Sequence, residues 1–313
     1  MTITQLQYVL AVAEYKNFTL AAQKCFVTQP TLSMQIQKIE EELGIQIFDR
    51  TKKPIQLTDI GLKIVNQAKN IVNEADRIHD IVQHQKGFIG GEFRIGIIPT
   101  IMPTLLPMFL NNFIKKYPKV KLIIEELNTD EIISRLNNGR LDAAIAATPL
   151  SEDKIKEIVL YFEPFVAYIP KHHHSFKRQE IEVSDLNIND ILLLQDGHCF
   201  RDGIINLCKN NINSENNHFQ LESGSFETLI KLADEGLGIT LLPFLHTLNL
   251  SEKDKEKLRH FKEPKPAREV SLIYPKTELK IHIIEALRST IAGVIKGAIV
   301  FQNIEIISPK PNK

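Results

Sequence analysis

Apolar residues near the start of the chain recur at the three- and four-residue spacing of one helix face. A first helix is predicted by Leu6, Val9, Leu10 and Ala13. Asn17 and Thr19 can cap a second short helix, and Thr28 can cap a third one that has Pro30 in its first turn. Gly44 is placed to end this third helix. Two short helices joined by a tight turn indicate a helix-turn-helix, and residues 45–58 fit a small β-wing after it.

A long helix is predicted next, because residues 59–86 contain no proline and a single glycine, Gly61. Its length would be roughly 40 Å. Apolar residues alternate spacings of four and three, as in a coiled-coil seam: Ile64, Ala68, Ile71, Ala75, Ile78 and Val82. The same stripe also fits an amphipathic helix that packs on its own domain. Gly87, Gly90 and Gly91 then predict a hinge.

From Glu92 onward, short apolar or β-rich runs alternate with helical stretches, which predicts α/β packing. The predicted strands are 93–98, 120–124, 141–147, 191–194, 239–242 and 270–274. The clearest predicted helices are 104–116 and 131–138. Residues 97–100, Ile-Ile-Pro-Thr, end a strand where open α/β sheets place ligands. Thr100 could therefore hold a small polar molecule, or it could be an ordinary turn residue, and Thr129 stands in the same position after the next strand.

Composition narrows the class of protein. The 313 residues are 43% hydrophobic and 24% charged, with 38 basic and 38 acidic side chains, so no global basic excess points to nucleic acid. No apolar run approaches the ~18 residues of a membrane span. An odd number of cysteines, three, argues against a secreted disulfide framework and favours a cytoplasmic protein. The run His172-His173-His174 has no second ligand cluster at a recognisable spacing, so neither a metal site nor a cofactor is predicted.

The charge distribution within residues 1–60 is more informative than its total of six basic and six acidic residues. No acidic residue occurs from Lys16 to Ile39, and the exposed side of the third helix carries amides and hydroxyls. Such groups can meet base edges and phosphates without repulsion. From the residues alone, a DNA-reading module and a small helical bundle both remain open.

Two cysteines nine positions apart carry the most specific chemistry. Cys199 is flanked by His198 and Arg201, which can favour a reactive thiolate, whereas Cys208 closes an apolar run. If the segment between them is helical, their Cα atoms lie roughly 13 Å apart. A disulfide needs less than about 7 Å, so bonding would unwind the segment and act as a switch. Chance spacing of two cysteines is the alternative.

Several motifs together resemble the LysR-type regulators. They are Ala21-Ala22, Thr28-Gln29-Pro30-Thr31-Leu32-Ser33, Ile39-Glu40, Leu43-Gly44, Phe48-x-Arg50 and Leu57-Thr58-x-x-Gly61. Residues 197–202, Gly-His-Cys-x-Arg-Asp, with a cysteine six residues later, resemble the peroxide-sensing loop of the OxyR branch of that family. The glycine-rich stretch 236–239 resembles the effector-domain signature of the same family rather than a phosphate loop.

The resemblance implies an α/β protein with an N-terminal winged helix-turn-helix, a long linker helix and a C-terminal effector module. That module is similar to a periplasmic binding protein with two α/β subdomains. The implied bounds are 1–58 for DNA binding, 59–86 for a dimerising linker and 87–91 for a hinge. The regulatory domain would span 92–300, with subdomains 92–163 plus 268–300 and 164–267, and 301–313 would be a tail.

The resemblance also implies functional residues. Cys199 would be the peroxidatic cysteine and Cys208 the resolving one. The implied peroxide pocket consists of Thr100, Thr129, His198, Arg201, His218 and Arg268, although a surface role for His218 stays open. The implied DNA-binding residues are Thr28, Gln29, Pro30, Thr31, Ser33, Gln35, Arg50 and Lys52, and the dimer seam would contain Ile64, Ile71 and Ile78. Asp130, Ala143 and Glu180 depart from family patterns, and Asp130 bears on the details of the pocket.

The implied function is a non-enzymatic, redox-sensing activator of oxidative-stress genes. Its implied partners are double-stranded DNA, hydrogen peroxide, RNA polymerase, a cellular thiol reductant and further copies of the chain in a dimer of dimers. Two alternatives remain open at this point. One is a LysR-type regulator gated by an organic ligand, with structural cysteines, and the other is a thiol peroxidase that turns over.

Overall fold

The computed structural model describes residues 1–85, 89–208, 223–299 and 303–309. The chain divides into two compact units, Met1–Phe88 and Ile89–Lys313. Some predicted features lie outside the described residues: His218, position 86 of the linker, Gly87 of the hinge, and positions 301–302 and 310–313 of the tail. None of the described helices combines the length and the apolar content needed to cross a membrane.

The first unit begins with three helices, α1 (Ile3–Tyr15), α2 (Phe18–Lys24) and α3 (Gln29–Leu43). The Asn17 side chain caps α2 by accepting hydrogen bonds from the backbone N–H groups of Thr19 and Leu20. Thr28 stands at the N-cap of α3, and Gly44 ends that helix in the left-handed conformation that favours glycine. The predicted starts and end of these helices are therefore confirmed.

The wing and the long helix complete this unit. Strands β1 (Phe48–Asp49) and β2 (Gln56–Leu57) pair antiparallel, and α4 follows over Asp59–Gln85. A side chain at Gly61 would meet the Ile47 carbonyl oxygen at 2.0 Å, so only glycine allows α4 to start against the wing. The core of the unit joins all four helices through Leu6, Val9, Ala22, Leu32, Ile36, Ile39, Val65 and Ala68.

The second unit alternates strands and helices, as predicted. Its strands are β3 (Gly91–Ile97), β4 (Val120–Glu126), β5 (Ala143–Thr148), β6 (Ile155–Tyr168), β7 (Glu180–Ile181), β8 (Thr240–Pro243), β9 (Leu258–Phe261), β10 (Lys265–Pro275) and β11 (Ile304–Ile306). Its helices are α5 (Met102–Lys116), α6 (Thr129–Asn137), α7 (Cys199–Leu207), α8 (Phe226–Asp234), α9 (Phe244–Thr247), α10 (Glu252–Lys255) and α11 (Ile281–Ile295). Three short 3₁₀ turns lie at His174–Lys177, Val183–Asp185 and Ile188–Asp190.

Two long strands connect two hydrophobic cores. The strand order is β4-β3-β5-β10-β6-β9-β7, with β8 paired to β6 and β11 paired to β10. Strand β6 contributes Ile155 and Tyr161 to one core and Phe165, Ala167 and Tyr168 to the other. Strand β10 runs antiparallel to β6, so that Arg268 stands opposite Glu163 where the chain passes from one core to the other.

Three parts of the second unit differ from the sequence prediction. Strand β6 was not predicted, although it is 14 residues long. The strand predicted at 191–194 is wrong, since it is reduced to one parallel bridge between Ile191 and Ile239. The described part of the expected tail contains strand β11, and its Ser308 carbonyl oxygen accepts a hydrogen bond from Asn206 of α7 at 2.9 Å.

Candidate functional site

The two cysteines of interest stand at the two ends of α7. Cys199 is the first residue of this nine-residue helix and Cys208 is its C-cap. Both thiols are free and buried, with residue exposures of 8% and 1%. At about 1.5 Å of rise per residue, their Cα atoms lie roughly 13 Å apart. That separation exceeds the roughly 7 Å limit for a disulfide, so the folded helix keeps the thiols apart.

A buried ion pair lies under the N-terminus of this helix. The Arg268 guanidinium donates from Nε and Nη2 to Glu163 Oε2 at 2.9 and 2.7 Å. Both side chains are almost completely buried, with exposures of 3% and 1%. The second carboxylate oxygen of Glu163 accepts the backbone N–H of Leu245, in the first turn of α9, at 2.8 Å. Both oxygens of the carboxylate are thus satisfied, as a buried charge requires.

Arg268 also ties the strand end at Thr100 to helix α7. Its Nη1 donates to the Thr100 hydroxyl at 2.8 Å, and its Nη2 donates to the Thr100 carbonyl oxygen at 3.1 Å. The guanidinium carbon lies 5.1 Å from the centre of the Phe200 ring, which is a cation–π distance. One cation therefore contacts β6, the loop after β3 and the residue next to Cys199.

Burial dominates the electrostatics of Cys199 and raises the pKa of its thiol. The positive charge of Arg268 opposes this and lowers the pKa, as do the Thr129 hydroxyl and the Ala147 backbone, whereas Asp202 raises it. The Thr129 hydroxyl is buried and has no hydrogen-bonding nitrogen or oxygen partner within the described ranges. The resting thiol is therefore mostly protonated at neutral pH.

The two residues that flank Cys199 play different parts from those expected. His198 is buried, and burial lowers its pKa while Glu126 acts in the opposite direction, so the imidazole is mostly neutral at pH 7. Arg201 binds Asp196 through Nε at 2.8 Å and donates to the Leu194 carbonyl oxygen. The expectation that Arg201 supplies the cation beside the thiol is corrected, because Arg268 is the cation that lowers the Cys199 pKa.

The histidine run has one neighbour that the sequence reading did not find. His173, His174 and Asp190 offer ligand atoms within 4.8 Å of one another. However, His173 Nε2 lies 2.7 Å from Asp190 Oδ2, and its Nδ1 accepts the Ser175 backbone N–H. Both ring nitrogens already have partners, and the Nδ1 bond requires the proton to be on Nε2. The cluster is therefore explained without a metal ion.

The expected DNA-reading residues group at the start of α3. Thr28, Gln29, Pro30 and Thr31 are exposed there, and the hydroxyls of Thr28 and Thr31 lie 2.8 Å apart. Ser33 and Gln35 are half-buried further along the helix. Gln35 Oε1 accepts a hydrogen bond from Gln5 at 3.0 Å. Gln35 thus also holds α3 on α1, whereas the first four residues form an open polar surface.

The basic residues of the wing are anchored to different degrees. Arg50 Nη2 lies 2.8 Å from Glu40 Oε2, and the other oxygen of Glu40 accepts the backbone N–H groups of Ile47 and Phe48. Arg50 therefore holds the wing on α3 as well as presenting a positive charge. Lys52 is more exposed and lies 3.9 Å from Asp49.

The expected dimer seam divides into two parts. Ile64 and Ile71 are half-buried and pack against the core of their own unit, beside Val65 and Val72. Ile78 is 62% exposed. Part of the apolar stripe on α4 thus serves its own domain, which was the alternative explanation of the pattern.

Comparisons with known proteins identify the family. Residues 3–62 match the "Bacterial regulatory helix-turn-helix protein, lysR family", and residues 86–295 match the "LysR substrate binding domain". The chain belongs to the LysR family of transcription regulators, which are DNA-binding proteins and not enzymes. The resemblance to the family and the predicted fold class are confirmed.

Within that family the chain is similar to OxyR proteins. It is 35% identical to the hydrogen peroxide-inducible genes activator of Pectobacterium carotovorum subsp. carotovorum, over 88% of this chain and 90% of that one. It is 33% identical to the DNA-binding transcriptional dual regulator OxyR of Escherichia coli K12, over 96% and 100%. A cysteine-to-aspartate variant of full-length OxyR from Pseudomonas aeruginosa superposes with a TM-score of 0.74 at 33% identity, covering 93% and 98%. A hydrogen peroxide-bound variant of OxyR from Corynebacterium glutamicum gives 0.63 at 30% identity, covering 95% and 93%.

Sequence reasoning did not single out Glu163 as part of this site. The signal was a lone charge within the otherwise apolar run from Ile158 to Tyr168, interrupted only by Pro164. A charged residue in such a run is expected to be buried and paired, because an unpaired buried charge is strongly unfavourable.

Proposed function

We propose that this chain is a peroxide-responsive transcription regulator that senses hydrogen peroxide through a reversible disulfide between Cys199 and Cys208. The observation that carries the proposal is the placement of both buried thiols on α7, one at each end. In this proposal the protein acts in the cytoplasm as a dimer of dimers on double-stranded DNA, with RNA polymerase as a partner.

The proposed chemistry balances without a cofactor. The Cys199 thiolate attacks one oxygen of hydrogen peroxide, an S–O bond forms, the O–O bond breaks, and the departing hydroxide takes a proton to become water. The resulting sulfenic acid is then attacked by the Cys208 sulfur, which forms the disulfide and releases a second water. A cellular dithiol returns two electrons and two protons and so restores the reduced state.

The surroundings of Cys199 support its role as the first thiol to react. Arg268 and the Thr129 hydroxyl both favour the thiolate. Thr129 places a buried hydroxyl beside the thiol, and Thr100 is held by Arg268. Among the described residues, no comparable cation or hydroxyl acts on Cys208, whose pKa is raised by burial.

Formation of the disulfide would have to unfold α7, because its ends are too far apart when helical. The helix joins the two cores through Cys199 on one side and Phe200, Ile204 and Cys208 on the other. The unfolding of α7 would therefore change how the two cores pack on β6 and β10. We propose that this change alters how paired winged domains engage their operator.

The test is operator binding with and without peroxide for the wild type and three single variants. Cys199→Ser should bind the operator as the reduced wild type does, whether or not peroxide is added. Cys208→Ser should form a trappable sulfenic acid at Cys199 but no internal disulfide. Cys25→Ser is the matched control, since Cys25 lies in the first unit and should leave the response intact. A Cys199→Ser protein that still responds would refute the proposal. A response to carboxylate metabolites alone would favour an organic effector.

A further inference from the structure

The contacts of Arg268 account for most of its hydrogen-bonding capacity. A guanidinium has five N–H donors, and four of them are used here, two by Glu163 and two by Thr100. Nε and Nη2 on one edge of the guanidinium both donate to a single oxygen, Glu163 Oε2, and these charge-assisted hydrogen bonds hold that edge in place. Thr100 and the Phe200 ring provide anchors that do not depend on Glu163.

The ion pair of Glu163 and Arg268 has almost no net charge, although Arg268 alone is always positively charged. Glu163 and Arg268 are direct cross-strand neighbours and are both almost fully buried, so little solvent screens their interaction. A carboxylate held at 2.7 Å from a guanidinium offsets much of the field that the cation would exert on a third group. Burial raises the pKa of the Cys199 thiol, and the lowering by Arg268 does not overcome it.

We propose that Glu163 is the resident counter-ion of Arg268 and that it competes with the Cys199 thiolate for that guanidinium. Glu163 is thus a positioning residue that acts on Cys199 through Arg268, and it sets how readily the thiol ionises. The inference deepens the proposed function, because it rests on Cys199 being the reactive thiol. In the resting protein the carboxylate holds the cation, and ionisation of Cys199 adds a second anion to an occupied site.

Other charged groups around the thiol do not change the direction in which removal of Glu163 should shift the Cys199 pKa. Asp202, on α7, raises the Cys199 pKa and is unaffected by a change at Glu163 that leaves the helix in place. His246, on α9, has a pKa lowered by burial and raised by Glu227 and Glu163. Removal of Glu163 would lower the His246 pKa further, so this imidazole stays neutral near pH 7. His198 is also neutral there.

The test is the pH profile of Cys199 alkylation by iodoacetamide in the reduced full-length protein, with the modified peptide quantified by mass. In Glu163→Gln the thiolate becomes the only anion available to Arg268, so the profile should move to lower pH. Alkylation near pH 7 should be about tenfold faster for each unit of that shift. Glu157→Gln is the matched control on the same strand, where the carboxylate accepts the Leu150 N–H, and it should leave the profile unchanged.

The role of Arg268 is tested by a double-mutant cycle. In a protein that already carries Arg268→Gln, Glu163→Gln should leave the pH profile of Cys199 alkylation unchanged. No guanidinium then remains at position 268 for the carboxylate and the thiolate to compete for. An equal shift in both backgrounds would overturn the proposal, because Glu163 would then act independently of Arg268. So would a Glu163→Gln profile that is unchanged or moved to higher pH.

A second variant covers the case in which Glu163→Gln does not fold, since breaking a buried pair is destabilising. Glu163→Asp keeps the charge but withdraws the carboxylate, so a smaller shift in the same direction is expected, and no shift or an opposite one would overturn the proposal. Alkylation needs neither peroxide nor a disulfide. If the profiles move as expected but peroxide produces no Cys199–Cys208 bond, the proposed function fails and the role of Glu163 stands.

Discussion

Cys199 and Cys208 occupy opposite ends of helix α7 and pack into two different hydrophobic cores. The helix is thus both the spacer that keeps the thiols apart and a connection between the cores. Any bond between the two sulfurs must unwind it, because the helical separation of roughly 13 Å is nearly twice what a disulfide spans. A disulfide between the two cysteines would in this way couple a local chemical event to the packing of both cores of the second unit.

Hydrogen exchange should report this unwinding. We expect backbone amides from Phe200 to Leu207 to lose protection after treatment with one equivalent of peroxide and to regain it with dithiol. Amides of α1 serve as the internal control, because that helix lies in the first unit and contains no cysteine. Equal protection of α7 in both states, with the disulfide verified by mass, would contradict an order-to-disorder mechanism even if the redox chemistry were correct.

The buried Cys208 thiol should make the reduced protein less stable at alkaline pH. Burial raises its pKa from the ordinary value of 9.0 to about 11. Between these values the unfolded chain releases a proton that the folded chain retains, so the free energy of unfolding falls as pH rises. The loss attributable to this thiol should be roughly 2 kcal/mol.

Urea unfolding of the reduced protein near pH 8 and near pH 11 measures that loss. Cys208→Ala lacks this thiol but keeps Cys25 and Cys199, so it should lose less stability over the same range, by about the amount attributed to Cys208. The smaller side chain lowers the starting stability at both pH values and leaves the comparison intact. Identical pH dependence in the two proteins would show that the Cys208 pKa is not raised.

Residues of α3 and of the wing should affect DNA binding in different ways. Lys52→Ala should weaken binding to all sequences and reduce the salt dependence of log K by about one unit, as expected for a phosphate contact. Gln29→Ala should leave the salt dependence unchanged and relax preference at one base pair by about 1–3 kcal/mol. Titrations of operator and unrelated DNA at several salt concentrations distinguish the effect of Lys52→Ala from that of Gln29→Ala. If Gln29→Ala weakened binding to both DNAs equally, Gln29 would not read a base.

Arg50 needs separate treatment because it is bound to Glu40. Arg50→Ala should lower operator affinity more than Lys52→Ala does, since it removes a positive charge and also releases the wing from α3. Arg50→Lys is the matched control, because it keeps the charge but not the planar donor geometry. If both Arg50 variants bind like Lys52→Ala, the ion pair with Glu40 does not position the wing.

The exposed end of the α4 stripe should mediate self-association. Ile78→Glu places a charge at a position that is 62% exposed, so it should produce monomers without loss of domain stability. Ile71→Glu should lower the melting temperature as well, because Ile71 packs on the core of its own unit. Light scattering and thermal unfolding measure both effects, and an Ile78→Glu protein that remains a dimer would place the interface elsewhere.

Local signals predicted the elements whose ends are marked by special residues. Helix α3 was predictable because Thr28 and Pro30 start it and Gly44 ends it. Strand β6 was not, since Glu163 and Pro164 interrupt its apolar run. The predicted strand at 191–194 failed because it has one neighbouring partner, Ile239, and follows directly on a 3₁₀ turn.

The site was only partly predictable, because some of its residues are close in sequence and others are brought together by strand pairing. The cysteines and their helix lie within ten residues of sequence, so spacing alone suggested the geometry. The cation beside Cys199 could not be found in this way, because Arg268 arrives through the register of β10 against β6. Arg201 was the nearer candidate in sequence, but its side chain binds Asp196 instead.

Non-reducing peptide mapping before and after stoichiometric hydrogen peroxide detects the proposed Cys199–Cys208 disulfide itself. The proposed mechanism predicts that the reduced protein yields free peptides for all three cysteines. After peroxide, the peptides of Cys199 and Cys208 should be joined within one chain, and Cys25 should remain free. A chain that stays fully reduced, or one whose new bond involves Cys25 or joins two chains, would contradict it.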